Sequence, residues 1–431
     1  MALIHENSCA CVGSQLDLFS VPGTQTSQEK NTYVPHYPIS SLNGDGPIEF
    51  DIKPSSMYTD LGDTRLYLRC RIVKSDGTAI PTNKPVAAVN MLFHALIQRL
   101  DVHVGNTLIT QSGGFYCFKA AIETLLNFGT DAKTSQLGNI MYVKDDYNAD
   151  TNPAALARQK IGDGSKSFQL YGPLHVDLFF QDKYLISNVP MRVKITRSSA
   201  NFYLLSTVNY ACKLEISEAV LWVRRVQIAP SIELAHARAM LAGKNALYPL
   251  RRGEIEVMSV PAFQQTVSRD NLFMSKLPKK LIIGLMNNSN FSGALNQHPF
   301  EFDHFHANNI EVSIDGENVC GTPMQLDYTD QKYMRAYDGL FHALNKSYND
   351  VGLDITYNDF PNGYCLYCFD LTADGCGNTS SHLELSRQGN LRFKMTLARP
   401  LASTINVIIY GEFESMLEIT NSREVLLDYK N

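Results

Sequence analysis

What this sequence has little of limits what it can be. Lys and Arg number 38 against 43 Asp and Glu, a net charge of −5. No basic excess is present to neutralise a phosphate backbone, so direct, sequence-specific nucleic-acid binding is not expected. No uninterrupted apolar stretch approaches the roughly 18–20 residues that a bilayer-crossing helix needs, and the first residues lack the charged-then-apolar pattern of a secretory signal. A soluble, non-secreted protein without a membrane span is the expectation. Nine cysteines form an odd, scattered set, which fits reduced thiols in a cytosolic or nuclear setting better than a disulfide framework. Tryptophan occurs once. The chain has no G-x-x-x-x-G-K-[ST], no G-x-G-x-x-G opening a helix, no G-x-S-x-G and no H-E-x-x-H. Catalysis therefore has no motif to sit on, although carboxylate pairs such as those of glycosidases leave no fixed spacing and keep a β-sandwich glycan binder or hydrolase open as an alternative.

What is present is a chain of 431 residues, 44% hydrophobic, with 21 Tyr and 21 Phe. That is enough for two or three compact units with cores of their own. The first 45 or so residues read as an extended arm, broken by Val21-Pro22-Gly23 and Val34-Pro35-His36-Tyr37-Pro38. From Ile48 onward short alternating segments dominate, such as Ile48–Ile52 and Leu66–Ile72, as half-buried strands require. Helical spacing is confined to Phe115–Phe128, to Ser231–Gly243 with Ser231 as N-cap, and to Tyr333–Leu344.

Two pairs of segments recur at close to half the chain length. Leu100-Asp101-Val102-His103-Val104-Gly105 resembles Ile310-Glu311-Val312-Ser313-Ile314-Asp315-Gly316, and Met191-Arg192-Val193-Lys194-Ile195-Thr196 matches Leu391-Arg392-Phe393-Lys394-Met395-Thr396. Each pair keeps apolar side chains on one face, and the order within the two halves is the same. The expectation is an all-β chain of two tandem jelly-roll sandwiches with a few short inserted helices. Its divisions are an arm over 1–45, a first sandwich over 46–230, a connecting helix and linker over 231–250, and a second sandwich over 251–431. The variable stretches Asn127–Lys166 and Leu344–Asn362 read as long exposed loops at one outer end.

Four groups carry chemistry-bearing side chains. Cys365-x-x-Cys368 lies in an apolar segment with no second pair, so packing is the better reading than zinc. His298–His306 places His304 and His306 two apart on an expected strand face, as in some metal sites, but no third ligand follows at a recognisable spacing. Cys9-Ala10-Cys11 sits in the arm. Arg224-Arg225, Arg251-Arg252 and Lys279-Lys280 are isolated basic pairs without the aromatic interleaving of a nucleic-acid surface.

Met1–Cys9, Ser14–Pro22 and Thr24–Ser27 resemble the start of the major capsid protein of Polinton (Maverick) elements and adintovirus-like relatives, and Ile232–Arg238 and Tyr248–Arg252 resemble that family's linker region. The resemblance implies a double jelly roll standing upright on an icosahedral shell around a double-stranded DNA genome, three copies forming a pseudo-hexagonal capsomer. It implies a structural protein, not an enzyme, with no cofactor, no metal and no catalytic residue. It further implies synthesis in the host cytoplasm or nucleus, residence in the virion capsid, and neighbouring capsomers, a penton protein and minor or cement proteins as partners. Leu16, Leu18 and Phe19 of the arm are then expected to make inter-subunit or internal-face contacts. A domesticated, transposon-derived copy is the other context in which such a chain would occur.

Overall fold

Alternating apolar residues become strands here because each strand can bury one face against a second sheet. The computed structural model describes residues 7–9, 11–147, 152–208, 210–378 and 382–427. Met1–Glu6 and Ala10 of the expected arm, and 148–151 of the first variable stretch, lie outside the described residues. In the first half the strands are β1 (Gln28–His36), β2 (Ile48–Ile52), β3 (Tyr58–Lys74), β4 (Ile97–Val104), β5 (Thr107–Gln111), β6 (Phe168–Gly172), β7 (Met191–Arg197) and β8 (Cys212–Ile228). They form two antiparallel sheets ordered β1-β8-β3-β6 and β2-β7-β4-β5, and two short strands, Val86–Ala88 and Leu204–Ser206, pair apart from them. In the second half they are β9 (Ala246–Val260), β10 (Thr266–Arg269), β11 (Lys280–Asn287), β12 (Ala307–Ile314), β13 (Glu317–Asn318), β14 (Leu366–Asp370), β15 (Leu391–Leu397) and β16 (Ile405–Ile419). Their sheets are ordered β9-β16-β11-β14 and β10-β15-β12-β13, with Met324–Gln325 and Val425–Leu427 as short additions. Adding eight to each label of the first half reproduces the second. Each half is a jelly roll, and the chain is a double jelly roll.

The duplicated motifs hold equivalent places down to the register. On β4 and β7, Leu100 faces Ile195, Asp101 faces Lys194 and Val102 faces Val193. On β12 and β15, Ile310 faces Met395, Glu311 faces Lys394 and Val312 faces Phe393. Acid opposite lysine therefore repeats on one face of each sheet while the apolar members are buried on the other. The turns that follow use left-handed residues, Gly105 at φ 58° and Gly316 at φ 92°, a conformation that costs glycine nothing.

The expected helices form as α1 (Tyr116–Asn127), α3 (Pro230–Leu241) and α4 (Met334–His342). Ser231 is not the N-cap of α3. Ala229 holds that place and Pro230 starts the helix, because proline is pre-set for the first turn and has no amide to leave unpaired. Gln28–His36, inside the expected arm, is hydrogen-bonded along β8, and Ala246–Leu250, inside the expected linker, already pairs with β16. The first variable stretch is no open loop either. It contains α2 (Pro153–Gly162), whose Arg158 is fully buried and bonds to Ala88 O and Val143 O at 2.9 Å and to Asp145 Oδ1 at 2.6 Å. No helix among the described residues is long and apolar enough to cross a membrane.

Candidate functional site at the junction of the two sandwiches

The sheet β9-β16-β11-β14 is covered on both faces. Leu281–Met286 and Ile405–Phe413 are buried without alternation, the pattern of strands with no solvent face. Against this sheet, at β9 and β16, packs α1 of the first half, buried almost all round as a helix between two layers must be, while α4 packs on β14. One apolar core therefore runs through both halves. Across it Phe118 stacks on Phe291 at 5.1 Å, and Phe118 and Phe202 meet Phe300 edge to face at 6.3 and 6.2 Å.

Beside this apolar contact lies a buried polar cluster. Lys119 of α1 pairs with Asp177 and, one turn on, approaches Glu123 at 4.0 Å. Glu123 accepts from Tyr410 Oη of β16 at 3.0 Å and meets His175 Nδ1 at 2.5 Å. The Gly253 amide of β9 donates to Asp177 at 3.3 Å. A Cβ at Gly253 would come within 2.8 Å of the Tyr410 ring and 2.9 Å of the Lys119 chain, so the close approach needs glycine. Burial alone would neutralise these groups. The Asp177 and Glu123 carboxylates outweigh it at Lys119, holding that amine above its ordinary pKa. At Glu123, Lys119 and His175 likewise outweigh burial and hold the carboxyl below its ordinary value. On β16 burial of Glu412 is overcome by Lys280 at 2.9 Å and Lys279 at 3.4 Å, and its pKa is also lowered.

These groups border a cleft of about 760 Å³ between the halves, lined by Glu123, His175, Arg251, Lys280, Tyr410 and Glu412 among others. Among the described residues its lining carries no serine, threonine or cysteine, and Glu123, His175, Asp177, Lys280 and Glu412 are engaged in charge pairs. The charge pairs lie within each half, and across the cleft the two bodies are joined by the hydrogen bonds from Tyr410 Oη to Glu123 and from the Gly253 amide to Asp177. Sequence reasoning did not find it, although the Lys119 and Glu123 spacing of i, i+4 and the unbroken apolar runs of β11 and β16 are visible signals.

The two variable stretches meet at one end of the junction. Lys144 bonds to Asp359 Oδ2 at 2.8 Å and Asp354 O at 2.6 Å, Lys346 to Leu126 O and Asn127 O at 3.0 Å, and Tyr364 Oη to Asp145 O at 2.8 Å. They interlock, and part of each is core: Ile140, Met141, Leu353 and Phe360 are buried.

The groups singled out from the sequence are not brought together. Leu16, Leu18 and Phe19 lie in the arm, 71%, 74% and 96% exposed. Cys9 and Cys11 are exposed, whereas Cys365 and Cys368 are buried with thiols pushed up to about 12. His304 and His306 do not share a strand face. Phe305 and His306 turn through left-handed φ values of 44° and 53° before β12 begins, and the two rings meet edge to face at 4.8 Å. His304 stacks on Tyr328 at 4.0 Å, and burial lowers its pKa to about 4. The Arg399 guanidinium abuts His306 Nε2, which disfavours a cation there. His298 turns to the first half, its ring 5.4 Å from Tyr147.

No family model matches the chain. A protein of Caenorhabditis elegans, the uncharacterized protein F54H12.2, is 22% identical over 423 residues, covering 95% of this chain and 99% of the relative. Among solved structures, a chain of the Sputnik virophage determined by cryo-EM superposes with a TM-score of 0.64 at 13% identity, covering 99% of this chain and 94% of that one. The mavirus major capsid protein gives 0.57 at 10% identity over 99% and 97%. The Faustovirus major capsid protein gives 0.55 at 9% identity over 94% and 92%.

Proposed function

We propose that this chain is a major capsid protein, a structural and non-enzymatic subunit that assembles as trimeric, pseudo-hexagonal capsomers. The observation that carries the reading is the repetition of the whole eight-strand order in both halves, joined by one continuous core. Two such bodies locked side by side supply two of the six edges of a hexagonal tile, so three copies about a threefold axis close it. The shared fold with virophage and other viral capsid chains over nearly the full length supports it. The chain divides into an arm, a first sandwich starting at β1, the connecting α3 and a second sandwich starting at β9. The exposed Leu16, Leu18 and Phe19 suit a segment covered by a neighbouring subunit or an internal capsid protein.

The shell would enclose double-stranded DNA, with penton and minor or cement proteins completing it, and assembly would follow synthesis in the host cytoplasm or nucleus. Within this reading we place the chain with Polinton/Maverick and adintovirus-like elements. The full-length relative in Caenorhabditis elegans favours an element carried in a cellular genome, and with it a second reading, a domesticated copy.

Light scattering on the purified chain after size exclusion tests the proposal. The expected species has a mass near 145 kDa (3 × 48.2 = 144.6), with hexagonal outlines by negative stain. A monodisperse 48.2 kDa monomer that forms no shell with penton and minor proteins, and turns over or binds glycans, would replace it with the carbohydrate reading.

A further inference from the structure

After β14, Asn378 and His382 border the junction cleft, and beside them three metal-ligating side chains come to one point. Asp374 Oδ2 lies 3.0 Å and Glu384 Oε1 3.1 Å from His382 Nε2, and the three donor atoms all fall within 4.8 Å of one another. One ring nitrogen carries one proton or one lone pair and cannot direct a full bond to two carboxylates. A single cation between the three atoms satisfies all of them.

The ligands are held from outside the cluster. Asp374 accepts from the Cys376 amide at 2.9 Å, and the Glu384 amide donates to the Glu414 carboxylate of β16 at 2.6 Å. Gly375 turns the chain through a left-handed φ of 69° directly after Asp374.

We propose that Asp374, His382 and Glu384 form a divalent-cation site that takes Zn²⁺. Imidazole together with carboxylates suits zinc, whereas calcium and magnesium take oxygen alone. The bound ion would tie Asp374 and His382 to β16 beside the cleft, through Glu384 and Glu414. This proposal does not depend on the capsid reading.

The test uses the full chain carrying Cys9→Ser and Cys11→Ser, which removes the exposed thiols of the arm as competing ligands. Zn²⁺ is titrated calorimetrically into this parent, into His382→Ala and into Glu384→Gln, with the melting temperature of each recorded with and without Zn²⁺. The expected result is one Zn²⁺ per parent chain, a higher melting temperature with the ion, and affinity at least about tenfold weaker in each variant, as is typical when a metal site loses support. X-ray absorption of the loaded parent should show N/O donors at about 2.0–2.2 Å. Absence of binding, or binding of equal strength in the parent and in both variants at unchanged metal-free melting temperature, overturns the proposal.

Discussion

Lys133 shows what burial does to one residue in this fold. Its ammonium nitrogen lies between Leu125 O at 2.9 Å and Leu353 O, a carbonyl of the other half. Desolvation dominates, with Lys144 and Lys346 adding to it against Asp354, and its pKa falls from 10.5 to about 7. The unfolded chain then holds a proton that the folded chain has released at every pH between those values, so stability rises with pH across that window, by at most about 1.4 kcal/mol per unit. Below pH 7 both states are protonated and the slope vanishes. Lys133→Met should abolish this increment. Urea unfolding at pH 7.0 and 8.5 should give the wild type a gain that the variant lacks, and equal slopes would show that Lys133 is solvated.

At the scale of elements, the arm and the interlocked loops differ in what protects them. Val12, Leu16, Leu18, Phe19 and Val21 are all more than 70% exposed, whereas the second loop exposes a tip around Tyr348 and Val351 between anchored ends. A protease needs an extended, accessible backbone. Limited proteolysis of the isolated subunit should therefore cut the arm first. In assembled particles the arm should be protected and the first cut should move to 347–351. Persistent cutting in the arm would place it outside the shell and reverse the assigned polarity.

At the scale of the molecule, the two sandwiches share one core, and α1 of the first half packs against β9 and β16 of the second. Local opening of one half would expose that sheet and the charges of Lys119, Asp177 and Glu123 together. The whole chain should therefore melt in a single calorimetric transition, with an enthalpy on the order of 300 kcal/mol from about 0.7 kcal/mol per residue. Two resolved transitions, each near half that enthalpy, would mean the halves are separable domains.

Much of this architecture is legible in residues 100–105, 191–196, 310–316 and 391–396, because side-chain alternation and turn glycines are local properties that survive duplication. The arm's exposed apolar residues and three of the helices are legible for the same reason. The sequence by itself determined the β class, the tandem repeat and the strands that carry it. Tertiary structure alone decided the rest. Whether Tyr410 reaches Glu123, and whether 127–166 and 344–362 are free loops or an interlock, depend on which faces the two sandwiches turn to each other. Those are contacts between residues far apart in the chain, set by packing and charge pairing across the junction, which no local pattern encodes.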